Sequence, residues 1–314
     1  MKSESKWQKL PTEAINRRTL DIDTMPIERI VTLINREDRR TVSAVEKVRP
    51  QIVTAVKLIV ASLSEGGRVF FVGAGTSGRL GVLEAAEVPP TFGTPPTLVR
   101  AVIAGGEESV FRAREGAEDN YADGVHQMTR VKVTRRDVVI GVSASGVTEF
   151  VRGALTRARR VRARRVLVTC RPGTDRALAD VTIAPEVGPE VIAGSTRMKA
   201  GTATKLVLNM LTTIPMVRIG KTYGNLMVDV RTGSAKLKDR ATRMVSMVTG
   251  LARPDAAALL TRARWNVKTA IVMARTGGSD AAARKRLRSA GDSMRVALGE
   301  NLAAVLRRRK RSSQ

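Results

Sequence analysis

The sequence predicts an α/β fold: a doubly wound, parallel, five-stranded sheet flanked by helices, with a small C-terminal helical domain. Three observations predict it. Five short apolar runs between residues 68 and 184 alternate with helix-like segments. Those runs are apolar at consecutive positions, the pattern of strands covered on both faces. After Ala235 the chain turns Ala- and Arg-rich and holds no strand-like run.

The elements follow in order. Pro26 suits a first helical position, and Ile27, Ile30, Val31 and Ile34 recur at helical spacing. A second helix is predicted over 41–64, with Val45, Val48, Ile52, Val56 and Ile59 on one face, ending at Gly66-Gly67. The first strand, 68–72, opens into Gly73-Ala-Gly-Thr-Ser-Gly78 and a helix to about Val88, stopped by Pro89-Pro90. The second strand, 98–103, leads through Ala104-Gly-Gly106 into a helix expected to reach Asn120. Strands at 137–142, 165–170 and 181–184 follow, the first of them ending in Ser143-Ala-Ser-Gly146. A long helix is expected from about Ser195, which can cap it. The predicted organisation is a helical segment over 1–64, a ligand-binding domain over 65–235, a small helical domain over 236–300, and a basic, disordered tail over 301–314.

Composition narrows the functions. The 314 residues include one cysteine, Cys170, and one histidine, His126, which leaves no His/Cys zinc site and no metal site is expected. Cys170 ends an apolar strand and reads as a small buried filler. His126 has no Ser or Cys placed as a partner and reads as a structural residue in a connection. No apolar run is long enough to span a membrane, and the first residues lack a signal peptide's apolar core, so a cytoplasmic protein is expected. The formal net charge is +26, and residues 240–314 hold 17 basic and 4 acidic residues. Aromatics are only 3% of the chain, too few for a stacking platform, so nucleic acid is not an expected partner. Weak anion binding by the basic run 307–311 is the most the tail suggests.

The candidate site lies in the loops. In open parallel sheets, ligands bind beyond the carboxyl ends of the strands. The first loop offers Gly75, Thr76 and Ser77 at a helix N-terminus, where free N–H groups and the helix dipole favour a phosphate. It lacks the lysine of a Walker A loop, and the next strand lacks the acid that a dinucleotide ribose wants. The second loop offers Ser143, Ser145, Gly146 and Thr148. Two such loops suit a sugar phosphate better than either does alone. Ser195 and Lys199 are further candidates, Lys199 for an anion. Glu84 and Glu87 lie three apart on one helix, hence on roughly one face, and Glu115 and Glu118 lie in the segment after the second strand. Two carboxyl groups brought to one sugar can divide acid and base work between them.

Together these segments resemble the N-acetylmuramic acid 6-phosphate etherase family, within the sugar isomerase (SIS) superfamily. The matching stretches include Leu10-Pro-Thr-Glu-Ala-Ile-Asn16, Gly73-Ala-Gly-Thr-Ser-Gly-Arg-Leu-Gly81, Glu87-Val-Pro-Pro-Thr-Phe-Gly93, Glu115-Gly-Ala-Glu-Asp119, Ser195-Thr-Arg-Met-Lys-Ala-Gly-Thr-Ala203 and Gly224-Asn-Leu-Met-Val-Asp229. The resemblance implies an SIS-type sheet and a lyase that cleaves the D-lactyl ether of N-acetylmuramic acid 6-phosphate in cell-wall sugar recycling. It implies no cofactor, a homodimer, and sites completed at the subunit interface. By motif position, Glu87 matches the acid that protonates the leaving lactate, and Glu118 the second catalytic glutamate. Val88 stands where a small or thiol side chain often follows the catalytic Glu. Two alternatives stay open on the same loops: a phosphosugar sensor, which needs no carboxylate pair, and an aldose–ketose phosphosugar isomerase.

Overall fold

A computed structural model describes residues 10–174 and 177–312. These divide into two compact units, one of residues up to 85 with 97–213, the other of 86–96 with residues from 214 onward. The expected boundary near residue 235 therefore falls about twenty residues earlier, inside a long helix.

The first unit opens with helices α1 (Ile27–Lys47) and α2 (Arg49–Ser64). The sequence suggested a single helix over 41–64, but the break falls at Val48. Pro50 explains this, because a proline is tolerated in a first helical turn and not in a helix interior. The sheet consists of β1 (Val69–Gly73), β2 (Val99–Ile103), β3 (Val138–Val142), β4 (Arg164–Val168) and β5 (Val181–Ile183). All pairings are parallel, in the order β2-β1-β3-β4-β5. Asp137, just ahead of β3, pins the amino end of the sheet. Its carboxylate accepts from the Arg68 amide at 2.9 Å, the Arg68 guanidinium at 2.8 Å and the Thr134 amide at 2.8 Å. Burial would raise its pKa, but Arg68 and these backbone donors hold it below the ordinary carboxylate range.

Between strands run α3 (Gly75–Phe92), α4 (Tyr121–Arg130) and α5 (Glu149–Arg160), and α6 (Lys199–Arg218) follows the sheet. Three local expectations change. First, α3 runs through Pro89 and Pro90 to Phe92. Each proline forfeits its own amide bond to the preceding turn, and the Gly93 amide closes the last turn on the Pro89 carbonyl at 2.9 Å. Second, the expected helix up to Asn120 is two short 3-10 turns, Glu107–Val110 and Ala117–Asp119. Gly105, Gly106 and Gly116 all take positive φ there, which breaks a regular helix. Third, His126 lies on α4, largely exposed, rather than in a connection.

The second unit packs α7 (Ala235–Thr249), α8 (Arg253–Arg262), α9 (Val267–Thr276), α10 (Asp280–Ser289), α11 (Met294–Leu298) and α12 (Leu302–Ser312). Val245, Leu260, Ile271 and Met294 are among its fully buried residues. Residues 86–96 belong here. The Arg231 guanidinium donates to the Thr94 carbonyl at 2.9 Å, and Gly93 leaves no room for a Cβ against the Asp229 carbonyl. The tail expected to be disordered is helical over Leu302–Ser312, because Leu302 and Val305 are buried in this core. Among the described residues, no helix is long and apolar enough to cross a membrane.

Candidate active site

The strand order reverses direction between β1 and β3, and that switch point is where parallel α/β sheets bind ligands. Gly73 at the end of β1 is in register with Val142 at the end of β3. The two hydroxyl-bearing loops therefore leave the sheet side by side, and α3 and α5 begin just beyond them.

The glycines of the first loop divide their work. Gly73 and Gly78 are packing residues: a Cβ on either would meet backbone at 2.8 Å, and on Gly78 also the Ile103 side chain at 2.6 Å. Gly75 takes φ +51° and faces open space. Thr76 and Ser77 are half-buried, and their hydroxyls make no hydrogen bond among the described residues. In the second loop the Ser143 and Thr148 hydroxyls bond each other at 2.8 Å, and Ser143 Oγ also accepts from the Gly146 amide at 3.1 Å. Thr148 thus leaves the N-terminus of α5 without a side-chain cap. Gly146 has φ +72° and lies against Thr169 and Thr174 after β4.

The segment before α6 departs from expectation. Ser195 is half-buried but is not the cap, since α6 starts at Lys199. Instead the buried Glu190 carboxylate accepts from the Lys199 and Ala200 amides at 3.0 and 2.8 Å. A carboxylate suits a helix N-terminus for both hydrogen bonding and dipole. Burial raises the Glu190 pKa against the pull of those two amides. Lys199 is not presented to a ligand. It is fully buried, with Nζ 2.8 Å from Glu37 Oε2. Arg18 and Asn16 bind the same carboxylate. Burial alone would raise the Glu37 pKa; these donors overcome it and lower it to about 2. Ahead of α6's second turn, Gly201 packs against the methyl of Thr76, bringing this segment to the first loop.

The glutamates separate. Glu84 is buried and committed to α6, accepting from Thr212 Oγ1 at 2.5 Å and Asn209 Nδ2 at 3.4 Å. Glu87, three residues on, is exposed, in the part of α3 that belongs to the second unit. The two therefore sit in different surroundings, although three residues apart on one helix. Glu118 sits in the 3-10 turn Ala117–Asp119 and lines a cavity of about 160 Å³ with Gly75, Arg79, Ser109, Arg114 and Glu115. Its surface is open to solvent, yet the protein around it and the charges of Asp119 and Glu115 raise its pKa. The cavity lies at the carboxyl ends of β1 and β2, since Gly75 and Ala104 follow those strands. The sequence pointed to Gly75 and Glu118 but not to Arg79, Ser109 or Arg114. Their signal is weak in one dimension, because they come from two separate segments and an irregular loop.

Residues 51–159 match the family described as Glucokinase regulatory protein N-terminal SIS domain. The chain is 48% identical over 295 residues to an N-acetylmuramic acid 6-phosphate etherase of Mesorhizobium japonicum, covering 94% of this chain and 96% of that one. It is 52% identical over 265 residues to the Symbiobacterium thermophilum protein of the same name, covering 84% and 88%. It is 46% identical over 293 residues to the N-acetylmuramic acid 6-phosphate etherase 2 of Vibrio cholerae, covering 93% and 95%.

Proposed function

The chain belongs to the N-acetylmuramic acid 6-phosphate etherase family, and on that basis we propose that it cleaves the D-lactyl ether of N-acetylmuramic acid 6-phosphate. Water is consumed, and N-acetylglucosamine 6-phosphate and D-lactate are released. The observation that carries the reading, beside the family, is a carboxyl group of raised pKa, Glu118, on a cavity shared with Gly75 of the phosphate-type loop. A sensor needs no such group.

The substrate's chemistry assigns the steps. In the open-chain sugar, the C1 aldehyde acidifies the C2 proton. A carboxylate takes that proton, the C2–C3 double bond forms, and the C3–O bond breaks as lactate leaves with a proton from a second carboxyl group. Water then adds at C3, and the proton returns to C2. We assign protonation of the leaving oxygen to Glu87 and the C2 proton and water to Glu118. A raised pKa makes the Glu118 carboxylate the stronger base. The phosphate is assigned to Gly75, Thr76, Ser77, Ser143, Ser145, Gly146 and Thr148, at the N-termini of α3 and α5. Ser195 is kept as a neighbour of the sugar.

We further propose a cytoplasmic homodimer. Ile27, Val31 and Val42 on α1 are all more than half exposed, and apolar side chains grouped on one helix support burial by a second copy. Light scattering on the full chain checks the dimer.

The deciding assay is D-lactate release from N-acetylmuramic acid 6-phosphate in deuterated water. Deuterium at C2 of the product is expected. Glu87→Gln and Glu118→Gln should each fold and lose about 10²–10⁴-fold in kcat, the usual contribution of a positioned acid or base. Wild-type rates in either variant would remove that residue from the mechanism.

A further inference from the structure

The cavity beside Glu118 carries more than the acid–base chemistry uses. Arg79 is half-buried, and its Nε donates to the Val110 carbonyl at 2.8 Å. Arg114 donates from Nη1 to the Gly105 carbonyl at 3.3 Å. Those bonds orient both guanidinium groups without neutralising them. Among the described residues neither has an ion-pair partner, although Glu115 and Glu118 line the same cavity. Ser109 adds a hydroxyl that is buried and, among the described residues, has no hydrogen-bond partner. The backbone is shaped to admit these groups. At Gly105, with φ +80°, a Cβ would stand 2.4 Å from Ser109 Oγ and 3.0 Å from Arg114 Cδ.

We propose that this cavity seats the lactyl carboxylate of the substrate, bound by Arg79, Arg114 and the Ser109 hydroxyl. The inference rests on the etherase reading. It explains a feature that phosphate recognition leaves over. A phosphosugar without the lactyl arm presents one anion, and the loops after β1 and β3 already provide helix N-termini and hydroxyls for it. The etherase substrate presents a second anion, a planar carboxylate, which suits the fork of a guanidinium. Held there, the arm places its ether oxygen for departure from C3 and marks the lactyl ether for cleavage.

The test compares two substrates and one partial reaction on the full-length protein. The substrates are N-acetylmuramic acid 6-phosphate and its neutral lactyl carboxamide. The partial reaction is solvent-deuterium exchange at C2 of N-acetylglucosamine 6-phosphate, which has no lactyl group. The wild type should prefer the acid over the carboxamide by about 10–100-fold in kcat/KM, the scale of a charge-assisted hydrogen bond. Arg114→Gln, at an exposed position, should lose that preference mainly through KM and leave C2 exchange within about threefold, as expected when only one binding contact is removed. Ser109→Ala should act in the same direction, more weakly, and Arg79→Gln at least as strongly if its melting temperature is retained. Equal treatment of acid and carboxamide by the wild type would overturn the assignment. Parallel loss of C2 exchange in Arg114→Gln, with a raised KM for the product, would overturn it too and give the cavity to the phosphate. A wild type that releases no lactate at all would remove the etherase reading itself, and this inference with it.

Discussion

Asp119 and Glu115 are like charges beside Glu118, and after burial they are what raises its pKa. Removing one of them favours the ionised form. Asp119→Asn should therefore move the acid limb of the kcat/KM profile to lower pH, because Glu118 then stays a carboxylate further into acid. A limb that stays in place would assign it to another group. The same logic gives stability at Glu37. Its pKa falls from 4.5 to about 2 on folding, so its contribution is present above pH 4.5 and is lost as the pH falls through about 2. The shift corresponds to at most about 3 kcal/mol, discounted because the Arg18 side chain is 45% exposed and screened by water. Glu37→Gln leaves Lys199 buried without its counter-charge and should cost about 3–5 kcal/mol in urea unfolding at pH 7. Cys170 makes a simpler case. Burial, with Glu190 nearby, pushes its thiol up to about 12, so iodoacetamide at pH 8 should label only unfolded protein.

Among the elements, α4 and α5 pack with glycine backbone against carbonyls. A Cβ on Gly124 would stand 2.0 Å from the Phe150 carbonyl, and one on Gly153 2.1 Å from the Tyr121 carbonyl. Both obstacles are backbone, which cannot swing aside. Gly124→Ala should lower stability by about 1–3 kcal/mol or more, as overpacking does, whereas Gly233→Ala, which meets nothing within 4 Å, is the neutral control. Thermal melts of the two variants check the contrast. This pair also explains why His126 was misplaced by the sequence. Gly124-Val125 reads as a connection in one dimension, and only a neighbouring helix in close contact gives that glycine a reason to lie inside α4. Likewise, a double proline marks a helix end in one dimension. It does not reveal that Arg231 donates its amide to the Pro90 carbonyl at 3.4 Å and helps hold the last turn.

Across the whole molecule, charge and burial act at different places. The net charge of +26 is carried largely by exposed arginines, and several acids it surrounds are structural, such as Asp137 and Glu37. Basic sequence alone suggested a loose tail after residue 300, but α12 contributes Leu302 and Val305 to the second core. Truncation after Leu306 keeps both and should leave stability nearly unchanged. Truncation after Asn301 removes both and should lower the melting temperature clearly, since each buried aliphatic side chain is worth about 2–5 kcal/mol. In a gel shift, loss of weak nucleic-acid binding in the shorter deletions, with steep salt dependence, would mark the basic run as an anion-binding segment.

Strand order aside, the sheet was legible in the chain, because its central strands β1 and β3 are buried at every position and run apolar, and the strand ends lead into small, flexible loop residues. All five strands lie within two residues of their expected bounds. The Gly/Ser/Thr loops after β1 and β3 were legible for the same local reason: they stand where those strands end. Whatever depended on a partner distant in sequence was not. That Lys199 is neutralised by Glu37, that Glu190 rather than Ser195 caps α6, and that Glu84 turns inward while Glu87 faces water were decided by tertiary packing alone. A side chain's charge is written in the sequence, but whether that charge meets water, a ligand or another side chain depends on which segments the fold brings against it.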